Sequence, residues 1–206
     1  MGTLLELRTA VASDIRDPNF STFTTDQVDD FINGGQADIN RSYPLQVFED
    51  IPYVSGQARY PTTLSTIFRV EVFRNDVFYA LLAESSGIEA QDGWDVHAGI
   101  LVLRGDLLRS FDEDTDVFNL WGYRDRARLI ADNQVTELDM DGEYAVRTFS
   151  RWAAFQFMLG DRSVYKQWQG ASQNSDISVN QLEQLVTIYS REWEQTRNRL
   201  RTLRRR

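Results

Sequence analysis

The hydrophobic period changes twice along this chain, and that change limits its possible folds more than any other feature. Leu4, Leu7, Val11 and Ile15 recur at helical spacing, as do Val28, Phe31, Ile32, Gly35 and Ile39. From about Ile51 the apolar residues alternate, as in "IFRVEVFRNDVFYALLA" and "DVFNLWGYRDRARL". Helical spacing returns after Asp141 and persists to the end. Two helices, a β-unit and further helices predict an α+β fold, a four-helix bundle domain interrupted by an antiparallel β-sandwich or barrel-like insertion. Residues 1–48 and 138–206 are assigned to the bundle and 51–130 to the insertion, with a long C-terminal helix over about 178–204.

Local signals set the boundaries. Pro18 pushes Asp17 out of helical geometry and ends the first helix. Thr24 and Gln27 form a capping box for the second, with Phe23 and Val28 spaced as a hydrophobic staple. Gly34–Gly35 inside that helix costs roughly 1 kcal/mol per glycine relative to Ala, which is tolerable where another helix packs closely. A hairpin turn is expected at Asn75–Asp76, and "GILVLRG" (99–105) reads as a strand buried on both faces. Gly- and Asp-rich stretches at 85–99 and 105–116 are read as loops. "EYAVRTFSRWAAFQFML" is expected to be the most buried helix, continuing past a break near Gly160, with a loop at 170–176. Ser178 and Gln181 repeat the capping box for the last helix.

That last helix ends in "RNRLRTLRRR". Residues 191–206 hold seven Arg against Glu192 and Glu194, whereas residues 1–190 hold 15 basic and 29 acidic residues. The body repels nucleic acid and anionic membrane, and the tip attracts them. Leu182, Val186, Tyr189, Trp193, Thr196, Leu200 and Leu203 form a heptad seam of about three heptads running into the basic segment. Leu200 and Leu203 are expected to stay exposed without a partner, which marks the tip as a docking peg. Deleting 197–206 is expected to leave the fold intact.

Residues for catalysis are sparse. His97 is the only histidine and there is no cysteine, so nucleophile–base systems have little to build from. No Walker or dinucleotide glycine spacing occurs. Asp112, Asp114 and Asp116 mimic a calcium loop, but Val117 stands where Gly is required and Tyr123 where the final Glu belongs. Glu137, Asp139, Asp141 and Gly142 fit better, yet their twelfth position is Thr148. Loop and helix-start acids are the expectation for both, with no metal, cofactor or catalytic residue. Arg124, Arg126 and Arg128 alternate onto one face of an extended segment, read as a solvated strand face or a contact to nucleic acid or acidic protein. No apolar run approaches the roughly 18–20 residues of a membrane span. The N-terminus lacks the basic start and cleavage site of a secretory signal, so a cytoplasmic product is the default.

The segment "LLELRTAVASDIRDPNFSTFTTDQVDDFINGGQADINR" resembles the N-terminal helical hairpin of tailed-bacteriophage head–tail adaptor (connector, head-completion) proteins. The residues carrying the likeness are Phe23, Thr24, Gln27, Val28, Ile32, Asn33, Gly35 and Gln36. Residues 120–159 are similar to that family's final strand, linker and buried third helix, although Arg126–Ala127–Arg128 stands where many adaptors have Pro. The resemblance implies a non-enzymatic virion neck protein, made in the host cytoplasm. It implies a homo-oligomeric ring, expected to have twelve subunits, between the portal protein and a tail or nozzle protein. DNA passes through the lumen without specific binding, and no membrane is involved. Portal docking is assigned to Arg197, Arg199, Leu200, Arg201, Leu203, Arg204, Arg205 and Arg206. The alternatives are a nucleic-acid-binding protein using the same Arg-rich end and a tail-associated cell-wall hydrolase.

Overall fold

The computed structural model describes residues 2–84, 93–97, 99–105, 111–171 and 176–203. The chain forms two compact units, Met1–Tyr43 with Arg126–Arg206, and Pro44–Asp125. Among the described residues the fold is α+β, with five helices and two antiparallel sheets.

The first unit holds α1 (Leu4–Asp14), α2 (Thr25–Ser42), α3 (Met140–Gly160), α4 (Arg162–Ala171) and α5 (Val179–Leu203). Thr3 with Glu6 and Thr24 with Gln27 form complete capping boxes. Between these helices the buried Asp17 carboxylate accepts the backbone N–H groups of Ser21, Thr22 and Phe23, fixing the turn after α1. Five helices stand where four were expected because Asp161 interrupts the run. Its backbone is extended at the end of α3, and its carboxylate accepts the N–H and hydroxyl of Ser163 to begin α4. α3 packs against each of the other four helices, as its largely apolar circumference requires.

A Cβ on Gly35 would lie 3.1–3.3 Å from Phe149, so the glycine pair marks the close approach of α2 to α3. Phe149 in turn meets Trp193 of α5 edge-to-face at 5.3 Å. Trp168 is fully buried, meets Phe155 edge-to-face at 5.6 Å and donates its indole N–H to the Ile15 carbonyl. Each such aromatic pair contributes about 0.5–1.5 kcal/mol beyond area burial.

The second unit comprises β1 (Leu45–Pro52), β2 (Arg59–Pro61), β3 (Thr66–Arg74), β4 (Val77–Leu82), β5 (Gly93–His97), β6 (Ile100–Arg104) and β7 (Asp116–Arg124). One sheet has the order β1-β7-β3-β4 and the other β2-β6-β5, every pairing antiparallel. The two sheets share one core, including Tyr60, Val70, Leu101, Phe118 and Leu120, and do not close into a barrel among the described residues. Asn75 and Asp76 both have positive φ (50° and 62°), the backbone of the two-residue hairpin turn expected there. β6 departs from expectation. It buries Leu101 and Leu103 but leaves Ile100 37 % exposed, because only one face of its sheet meets the core.

Candidate functional site

The basic tip belongs to α5, whose start Ser178 and Gln181 cap as expected. Leu182, Val186, Trp193, Thr196 and Leu200 of the seam are all buried, with Leu200 only 1 % exposed. This corrects the expectation of Leu200 as a free anchor: α5 runs beside α3 and spends its seam inside its own unit. A deletion of 197–206 therefore removes a core residue, contrary to the reading that it spares the fold.

The arginines divide by partner. The Arg197 Nη1 lies 3.9 Å from Asp38 Oδ2 on α2, and its buried Nε has no hydrogen-bond partner among the described residues. The exposed Arg199 donates to Asp141 Oδ1 at 2.7 Å, in the first turn of α3. Asp141 thereby sits where the dipole of α3 favours an acid, facing a cation at the opposite-sign end of α5. Arg201 is exposed and has no ion pair with any described carboxylate. Arg204, Arg205, Arg206 and the side chain of Leu203 lie outside the described residues.

The alternating arginines at 124–128 do not form a single solvated face. Arg126 is 6 % exposed, donates to Asn40 Oδ1 and to the carbonyls of Tyr43 and Glu137, and lies over the Tyr43 ring. Burial and the adjacent Asp139 raise the pKa of the Tyr43 hydroxyl. Arg128 instead reaches Asp30 on the surface at 2.9 Å. β7 ends at Arg124, and the extended segment beyond it is held by α2 rather than by another strand. Asn33 Oδ1 accepts the Leu129 N–H, Asn33 Nδ2 donates to the Leu129 carbonyl, and Gln36 Nε2 donates to the Ala127 carbonyl.

This clamp escaped hydrophobic patterning, which has no signal for a polar side chain that reads backbone. The presence of Asn33 and Gln36 among the residues of the adaptor-like stretch is the one sequence hint of it. Arg8 adds a second tie, bidentate to Asp29 with Asp132 on its other nitrogen, and these carboxylates push its pKa up.

The acidic stretches have structural uses. Asp116, 1 % exposed, receives a bidentate Arg74 at 2.7 Å and the Asp112 N–H, and Arg74 holds its carboxyl below the usual range. Asp139 caps α3 through the Gly142 N–H, and Glu137 accepts the Ala127 N–H. No cluster of three or more potential metal ligands occurs among the described residues. His97 pairs with Asp95 at 2.9 Å and is 64 % exposed.

A protein-family model described as SU10 adaptor protein matches residues 2–204. The chain belongs to the SU10 adaptor protein family. No curated protein matches it. The match spans both units of this SU10 adaptor family member, including Asn33, Gln36 and the segment they clamp. Membership agrees with the head–tail adaptor resemblance and supplies the coarse function, a phage adaptor that contacts other proteins of the virion. No helix of the described residues is long and apolar enough to cross a membrane.

Proposed function

We propose that this protein is a structural, non-enzymatic subunit of the phage neck, forming a twelve-membered ring between portal and tail. The family match across residues 2–204 is the observation that carries this reading. The two compact units are then its working domains, the helical one carrying the portal contact and the β unit the tail contact. A body with 29 acidic residues against 15 basic ones suits a lumen through which DNA slides during ejection without being gripped.

Portal docking falls to the basic end beyond Leu200. Arg201 is exposed without a described acidic partner, and Arg204, Arg205 and Arg206 follow it. Arginine suits bidentate recognition of carboxylates on a protein groove. Arg197 and Arg199 already engage Asp38 and Asp141, so they contribute only by exchanging partners.

Co-sedimentation with portal rings tests this. The full chain is expected to pellet with portal, and a chain ending at residue 200 is expected to keep its fold and lose binding. Unchanged binding by the truncated chain rules out the tip as the docking element. If the tip instead grips nucleic acid, binding to DNA falls with salt at a log–log slope of about −0.9 per phosphate neutralised.

A further inference from the structure

We infer that β4 of one copy pairs with β1 of the next, joining the four-stranded sheets of neighbouring subunits head-to-tail. The inference rests on the ring reading and names the surface that would build the ring. β4 is an edge strand with the sequence VFYALL, free of charge and proline. Natural edges normally carry such residues, or a bulge, to prevent strand pairing; β4 has only the one-residue register shift at Tyr79, opposite Val72–Phe73. Val77, Phe78, Tyr79 and Leu81 are 67, 52, 50 and 58 % exposed, so apolar surface accompanies a backbone edge that no other described strand pairs over Val77–Leu81; beyond it Trp94 of β5 takes the Leu82 and Ala83 carbonyls. β1 forms the opposite edge, with Phe48 59 % exposed near its middle.

Strand direction fits a second copy as the occupant. Three antiparallel steps separate β1 from β4, so the two edges of one sheet run in opposite directions. A copy related by rotation about an axis along the strands therefore presents its β1 antiparallel to β4, with the same sheet face outward. Such a heterologous contact repeats from copy to copy, and closes into a ring when the rotation between copies divides a full turn. Charge favours the same pairing. β1 carries Glu49 and Asp50, so β1 against β1 opposes like charges, whereas neutral β4 accepts β1 without that repulsion. Pairing β4 with β4 leaves β1 unpaired in every copy.

The chain has no cysteine, so on portal rings stripped or pre-blocked of reactive thiols the introduced thiols report alone. Leu81→Cys, Phe78→Cys and Phe48→Cys are made singly, and Phe48→Cys is combined with each β4 variant to cover the possible registers. Each is treated with a short bis-maleimide in the presence of portal rings, and assembly is followed by electron microscopy. Both or either of the double variants should give a ladder of multimers on a denaturing gel, with the single variants remaining monomeric. Dimers from a single β4 variant show two-fold pairing and overturn the inference. Rings without a ladder from either double variant overturn this surface while leaving the ring intact. Absence of rings on portal overturns the ring reading and this inference with it.

Discussion

Asn33 grips both backbone groups of Leu129, accepting its N–H at 2.9 Å and donating to its carbonyl at 3.0 Å. The two residues are 96 positions apart, so this one side chain ties the strand-to-helix linker onto α2. Leu129 is itself buried. Asn33→Leu strands a buried donor and a buried acceptor, each worth about 1–3 kcal/mol when left unpaired, and is expected to cost about 3 kcal/mol in urea unfolding. A loss under about 1 kcal/mol contradicts the clamp.

Leu200 and Arg201 are adjacent in sequence and opposite in environment. Leu200→Ala opens a cavity in the helical unit and should destabilise it by about 2–5 kcal/mol. Arg201→Glu should change stability by no more than about 0.5 kcal/mol. Only the second is expected to weaken portal binding in a well-folded protein. Thermal melts beside co-sedimentation separate the two effects.

The Arg74–Asp116 pair predicts a specific acid response. Asp116 titrates below its ordinary value of 3.8 in the folded protein because of Arg74. The pair's stabilisation is therefore complete above that value and is lost as pH falls through the lower folded one. Asp116→Asn should flatten the decline in urea midpoint between neutral pH and about pH 2. An unchanged pH profile shows that other carboxylates carry the response.

Gly122 of β7 and Gly170 of α4 should respond oppositely to alanine. A Cβ on Gly122 would fall 2.2 Å from the Thr66 carbonyl oxygen on β3, a backbone atom that cannot swing away. Gly122→Ala is expected to cost about 2 kcal/mol or more by forcing the ladder apart. Gly170 has nothing within 4 Å, and Gly170→Ala should add up to about 1 kcal/mol of helix propensity. Urea midpoints of the two variants provide the check.

Much of the secondary structure was legible because its causes are local. Capping boxes at Thr24 and Ser178, the Asn75–Asp76 turn and the period changes each depend on residues within a few positions. Gly34–Gly35 pointed to a close helix contact because a helical glycine pair needs such a reason, and Phe149 supplies it. The break at Asp161 was only half legible, since a carboxylate that ends one helix can also start another.

The docking residues divide along a different line. Sequence alone set the charge asymmetry, the length and capping of the last helix, and the spacing of its seam, because these follow from residue identity and a fixed helical period. It could not say which surface the seam meets. Tertiary structure decided that Leu200 is buried within its own unit, that Arg126 is an internal hydrogen-bond hub rather than a surface charge, and that Arg199 meets Asp141. Burial and pairing depend on contacts between residues tens of positions apart, and a periodic pattern carries the face of a helix but not the identity of what covers it.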